Sequence, residues 1–155
     1  MEEIITSSSQ RVYKQLGPGH SESTYQKALA HELHIYGLTL DLERALPITY
    51  TDSNMNVHYI TSDRIDVFIH NNTKYNEGNI ILELKANKNK EIQDTEIIQL
   101  KKYFRQLEKE KTEYSYGLII NFPQPSSKQN LENINYIKLD YCKSDVLRVN
   151  SSEVI

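Results

Sequence analysis

The order of local signals in the chain predicts a mixed α/β (α+β) domain, a central mixed sheet flanked by helices. Two helical patterns come first, then a group of strand patterns, then a third helix and two further strands. At 155 residues the chain has the length of one domain with one core, and no internal repeat or long low-complexity segment divides it. The apolar run Ile80–Ala86 reads as the central strand of that sheet.

Each element has its own warrant. Ile5, Val12 and Leu16 fall at roughly helical spacing and predict a helix over residues 3–16, although Ser7, Ser8 and Ser9 weaken it. Gly17-Pro18-Gly19 breaks it. Ser21 is the expected N-cap of a second helix, about 22–36, with an apolar stripe of Tyr25, Ala28, Leu29, Leu33 and Tyr36 and a stop at Gly37. A first strand is expected at Ala45–Tyr50, where Pro47 points to a sheet edge or a bulge. Asp52, Ser53 and Asn54 mark a turn. Val57–Ile60 and Arg64–Ile69 read as two strands, or one bent near Ser62, and 71–79 as a polar hairpin loop. Asp94 or Thr95 is the expected cap of a third helix ending near Lys109, with Ile97, Leu100, Phe104 and Leu107 on its apolar face. Strands are expected at Tyr114–Asn121 and Tyr136–Leu139, a loop between them, and a weakly structured tail over 142–155.

Composition narrows the class. The chain is 38% hydrophobic and 25% charged, as expected of a soluble globular protein. Its single cysteine, Cys142, rules out an internal disulfide and fits a reducing compartment. Met1-Glu2-Glu3 lacks the features of a signal peptide, and no apolar run is long enough to span a membrane. A soluble intracellular protein, cytoplasmic or nuclear, is the expectation. The formal net charge of −3 gives no bulk support for nucleic-acid binding. Eight Lys or Arg and five Asp or Glu lie between Lys85 and Lys111, however, leaving the rest of the chain at −6. That excess fits a basic strip, with Lys88 and Lys102 as candidate nucleic-acid contacts, and fits a solvated helix face equally well.

The chemistry-bearing residues sit in the apolar strands. Glu83 and Lys85 are two apart, so on a strand they project from one face. Asp66 interrupts a second apolar run, Arg64–Ile69. Ionised side chains are rarely buried unless paired or bound to a metal. Phosphodiester hydrolysis needs a cation to neutralise the phosphate and a water made nucleophilic at neutral pH. Mg²⁺ prefers oxygen ligands and keeps several waters, so Asp66 and Glu83 with a main-chain carbonyl would suffice. Lys85 would orient the attacking water and offset developing negative charge. An ion pair, Arg64–Asp66 or Glu83–Lys85 at a sheet end, explains the same residues without catalysis. Glu22, in the first turn of the second helix, has a plain reading as a carboxylate at the positive end of the helix dipole.

The ordered set is more specific than any one motif. Gly19, Glu22 and Tyr25 lie in the run Leu16–Tyr25, which Ala28-Leu29 and Glu32-Leu33 continue. Arg64-Ile65-Asp66, Leu82-Glu83-Leu84-Lys85-Ala86, Gln99–Tyr103 and Gly117–Phe122 follow in order. Over about residues 4–139 this resembles the GxxExxY protein family, a branch of the PD-(D/E)XK nuclease superfamily. The resemblance implies a restriction-endonuclease-like core. It also implies Mg²⁺ or Mn²⁺ around Asp66, Glu83 and the Leu84 carbonyl, with Lys85 as catalytic lysine. Glu22 would be an accessory acid reaching the metal directly or through water. The Gln99 and Tyr103 spacing is similar to the helix motif of RecB-like and Cas4-like nucleases, where the glutamine helps set the active site. Tyr25 and Tyr103 would meet nucleic acid or simply pack, and His20 would contact phosphate or simply occupy a surface loop.

The chain departs from the family pattern at His20, where an apolar residue is usual, and in longer loops at 71–79 and 86–99. His31, His34, His58 and His70 show no metal-binding spacing. The expected reaction is attack of water on phosphorus, in line with the leaving 3′ oxygen of DNA, leaving a 5′-phosphate. A silent nuclease-fold module that binds nucleic acid or a protein is the competing expectation, and an RNA-directed or defence nuclease a third. A domain of this size covers little nucleic acid, so a homodimer or a larger nuclease or repair assembly is expected to complete the grip.

Overall fold

The computed structural model describes residues 1–88, 91–124 and 133–140, and the main chain of 147–153. Helices α1 (Glu2–Leu16) and α2 (Glu22–Ile35) precede strands β1 (Leu40–Thr51), β2 (Val57–Ile69) and β3 (Ile80–Lys85). Helix α3 (Asp94–Lys109) and strands β4 (Tyr116–Asn121), β5 (Asn135–Asp140) and β6 (Leu147–Glu153) follow. The strands form one sheet in the order β1-β2-β3-β4-β5-β6. Only β3 and β4 run parallel. A parallel pair needs a crossover, and α3 supplies it. The architecture is the α+β, helix-flanked mixed sheet of the restriction-endonuclease-like fold.

Serines do not interrupt α1, because the hydroxyls of Thr6, Ser7 and Ser9 bond back to the carbonyls of Glu2, Glu3 and Ile5. On α2, Ser21 caps the helix by accepting from the Thr24 amide at 3.4 Å. The cap of α3 is Gln93, one residue before the expected Asp94 or Thr95; its amide donates to the Glu96 carboxylate at 2.9 Å. That places Glu96 as the reciprocal member of a capping box.

The sheet separates two apolar layers. Ile5, Tyr13, Tyr25, Leu29 and Leu33 of α1 and α2 pack on Val67, Ile69, Leu82, Leu84, Leu118 and Ile120. Leu100, Phe104 and Leu107 of α3 pack on Ile81, Ile119, Ile137 and Leu139. Alternation along β3 therefore sends Glu83 and Lys85 to the α3 side. At Gly117 any Cβ would lie 2.7 Å from the Phe104 ring, so α3 seats on β4 only over a glycine.

Two strand expectations change, at β1 and in the tail. β1 starts at Leu40, not Ala45, while β2 is one continuous strand, the second of the two readings given for 57–69. Pro47 does lie on the edge strand, where its missing amide costs no ladder bond. β6 pairs antiparallel with β5, so part of the expected weakly structured tail is strand. The remainder of the tail, Cys142 included, and most of the loop expected between the last two strands before it lie outside the described residues.

One feature of the sheet positions the site. β2 pairs with β3 only from Val67 to Ile69; from Asp66 outward it leaves the sheet with β1 as a two-stranded ribbon. The facing of the ribbon also changes there. Leu42 and Val67 pack with the α1/α2 layer, whereas Leu46 and Ile65 pack with the α3 layer. The change falls at Glu43, which has φ 54° and is bracketed by the pairs Leu42–Val67 and Arg44–Ile65. That register sets Glu43 opposite Asp66.

Candidate active site in the fork between two strands

The fork leaves the Leu84 amide without a main-chain acceptor from β2. The Asp66 carboxylate takes its place: Leu84 N–H donates to Asp66 Oδ2 at 2.7 Å. Asp66 is thereby held by the sheet, with its second oxygen left for other partners. Extending the β2–β3 register by one residue sets Asp66 opposite Glu83. Glu83 is 4% exposed, and its Oε2 is buried without a hydrogen-bond partner. Its Oε1 lies 3.4 Å from Lys85 Nζ.

The lysine is positioned from the opposite layer. Lys85 Nζ donates to Gln99 Oε1 at 3.1 Å, and Gln99 Nε2 donates to the Tyr103 hydroxyl at 2.8 Å. Gln99 and Tyr103 are one turn apart on α3, which allows a single chain of contacts from Glu83 through Lys85 to Tyr103.

The electrostatics are those of a site short of positive charge. Burial, then the Asp66 carboxylate, push the Glu83 carboxyl up to about 8, against the opposing pull of Lys85. Burial also raises Asp66; Glu43 and Glu22 add to the rise, while the Leu84 amide and Lys85 oppose it. Burial and the charge of Glu83 raise the Tyr103 hydroxyl, so it stays a neutral phenol. Two adjacent carboxylates are both acceptors, and neither can satisfy the other. A proton or a cation must lie between them.

A divalent cation fits that need. The orphaned Glu83 Oε2 and the fixed Asp66 are hard oxygen donors, the type that Mg²⁺ and Mn²⁺ prefer. Among the described residues no three His, Cys, Asp or Glu side chains converge closely enough to hold an ion. Glu22, expected to reach a metal directly or through water, forms no such three-carboxylate group with Asp66 and Glu83. It lies at the start of α2, exposed, near enough to raise Asp66 and not placed to close a three-carboxylate cage.

Of the two readings of the tyrosines, contact with nucleic acid or packing, the structure shows packing. Tyr25 has no exposed surface; it stacks on Phe122 at 4.4 Å, donates to the Gly17 carbonyl at 2.7 Å and accepts from Gln124. Tyr103 is 3% exposed and its hydroxyl is turned to Gln99. Both are bulky apolar bodies with a satisfied polar tip, and the core takes them. His20 and Lys88 are at the surface. His20 bonds to the Leu16 carbonyl at 3.1 Å and meets the edge of Tyr25. Lys102 is half exposed and pairs with Asp63 at 2.9 Å. Of the two ion pairs that would explain these residues without catalysis, Glu83–Lys85 forms at 3.4 Å, while Arg64–Asp66 is not among the pairs formed by the described residues and Arg64 is exposed.

Two residues that the sequence does not advertise join the site. Gln26, one turn after Glu22, is 3% exposed and donates to the Asp66 carbonyl at 2.6 Å. The same Nε2 donates to Glu43 at 3.1 Å. A buried glutamine on a helix stripe otherwise occupied by apolar residues is the one signal that singles out Gln26. For Glu43 there is none, since its position follows from the bend in β1.

A strand-borne Asp, a strand-borne Glu-x-Lys and a supporting glutamine thus meet at the fork of a helix-flanked, restriction-endonuclease-like mixed sheet. The PD-(D/E)XK nuclease superfamily model matches residues 1–134, and the chain belongs to that superfamily. No curated protein matches the chain. Superfamily membership brings nuclease chemistry, interaction with nucleic acid and general use of divalent metals.

Proposed function

We propose that the chain is a Mg²⁺- or Mn²⁺-dependent nuclease that hydrolyses phosphodiester bonds of DNA. The observation that carries this is the buried, partnerless Glu83 oxygen beside Asp66, with Lys85 alongside. When bound, the cation neutralises the phosphate and lowers the pKa of a water. Asp66, Glu83 and the Leu84 carbonyl would hold it. Lys85, oriented by Gln99, aligns the attacking water and offsets charge at phosphorus. Glu22 acts through water. Lys88, Lys102 and His20 are the surface groups offered to the phosphate backbone.

Within the superfamily we place the chain in the GxxExxY family, on the RecB/Cas4-like branch. Gly19, Glu22 and Tyr25 support the first; the Lys85–Gln99–Tyr103 chain supports the second. We take residues 1–155 as one domain of a soluble intracellular protein. No helix among the described residues is long and apolar enough to cross a membrane. A second copy or a larger assembly is the proposed partner, because the β1–β2 ribbon exposes Tyr50, Met55, Val57, Tyr59 and Ile60 together.

The test is cleavage of single-stranded DNA, duplex DNA and RNA with Mg²⁺ or Mn²⁺, with EDTA and Lys85→Ala as controls. Metal-dependent cutting of DNA that Lys85→Ala abolishes is expected. Preference for RNA would move the substrate class, and tight binding without turnover would favour a silent module.

A further inference from the structure

Interpolating the β1–β2 register and extending the β2–β3 register by one residue sets three carboxylates side by side: Glu43 on β1, Asp66 on β2 and Glu83 on β3. The middle one is locked by two different layers. Leu84 holds its carboxylate, and the Gln26 amide from α2 holds its carbonyl. The second proton of that amide goes to Glu43, so the donor capacity of a buried glutamine is fully used.

Glu43 occupies a left-handed conformation, φ 54°, that glycine adopts without strain and a side chain does not. A strand that needed only the bend would be better served by glycine. Strain of this kind persists where the surroundings over-determine it, and it clusters at functional sites. What glutamate supplies here is a carboxylate, opposite Asp66 and bonded to the same glutamine. Its charge reaches Asp66, on the side of that carboxylate away from Lys85 and β3.

We infer that Gln26 and Glu43 are a positioning pair for a divalent cation at the fork, Gln26 fixing the Asp66 backbone and Glu43 drawing the hydrated ion from the β1 side. The inference rests on the nuclease reading of the site. Glu43 does not belong to a direct ligand cluster among the described residues, so it acts through the water that such ions retain.

The experiment titrates Mn²⁺ into the full chain and reads free Mn²⁺ by electron paramagnetic resonance, with Tm measured in parallel without metal. Gln26→Met and Glu43→Gly are each expected to weaken Mn²⁺ binding about tenfold, the lower end for lost outer-shell partners. Glu43→Gly is expected to keep or raise Tm, since it relieves the backbone. Glu43→Asp, which tolerates the left-handed region and keeps the charge, is expected to restore part of the affinity. Wild-type protein that binds Mn²⁺ while both variants bind it equally well overturns this inference alone. Affinity lost only in step with Tm, and not recovered by Glu43→Asp, overturns it as well by reducing the pair to a structural role. Wild-type protein that takes up no Mn²⁺ overturns the metal centre itself and this inference with it.

Discussion

The Leu84 amide donates to the Asp66 carboxylate at 2.7 Å, where a β2 carbonyl would stand if the ladder continued. One side chain thus ends the β2–β3 pairing and becomes part of the site. Asp66→Asn keeps an acceptor for Leu84 and removes the charge. It should fold with near-normal Tm and lose divalent-ion binding. Asp66→Ala strands a buried amide, at a cost of about 1–3 kcal/mol, and should lower Tm as well. Thermal melts with and without Mn²⁺ separate the two; equal melting points for both variants would remove the structural half of this account.

Lys85 and Gln99 should differ in degree. Lys85→Ala is expected to lower the cleavage rate by about 10²–10³-fold, the scale for a charge that stabilises a transition state. Gln99→Leu leaves the lysine present and loosely held, with a loss nearer tenfold expected. Single-turnover rates on one DNA substrate give both values. Equal rates for Gln99→Leu and wild type would show that the 3.1 Å contact does not orient the lysine.

Stability without metal should fall as pH rises. Glu83 is protonated in the fold up to about pH 8, against 4.5 when free, so the native state binds the extra proton in that window. Its contribution is fully present below pH 4.5 and lost as pH rises through about 8. The total is on the order of a few kcal/mol. Glu83→Gln should flatten the decline. Saturating Mg²⁺ or Mn²⁺, which binds the ionised carboxylates, should oppose it. Denaturant midpoints between pH 5 and 9 provide the measurement, and a rise across that range in metal-free protein would contradict the burial effect.

Tyr25→Phe should cost stability and leave nucleic-acid affinity unchanged. The hydroxyl lost is the one that bonds to Gly17, worth about 1 kcal/mol. Ring stacking on Phe122 remains. Urea midpoints and a DNA-binding isotherm test the two halves, and weakened DNA binding at unchanged stability would return Tyr25 to the substrate surface.

The exposed ribbon should govern self-association. Its apolar residues lie on both sides of a hairpin that no third strand among the described residues covers, and the nearby Asp52 and His58 side chains bond to each other at 2.7 Å. Val57→Lys with Tyr59→Lys places two charges on one face of that surface without touching the core. Sedimentation should show wild type as a dimer or higher and the double variant as a monomer; an assembly that survives the double change would place the contact elsewhere.

Much of the fold was legible because local periodicity and punctuation agreed. The apolar stripe of α2 between Ser21 and Gly37, the heptad-like face of α3 and the buried runs of β3 and β4 each carried their own signal. Glu83 and Lys85 were assigned to one face from strand geometry alone, and Gln99 was placed one turn from Tyr103 by helix geometry. Both relations hold in the structure as direct contacts.

What needed the tertiary structure was everything decided by the sheet's departure from regularity. No local pattern says that β2 leaves β3 after Val67, that Glu43 bends β1, or that one glutamine spans both. Nor could residue type alone tell a tyrosine that stacks in the core from one that meets a substrate, since the same ring suits both. The sequence by itself determined the element order and which charged residues share a strand face, because those depend on near neighbours. Which carboxylates gather and which is left without a partner depend on how strands distant in the chain diverge, and only the folded sheet sets that.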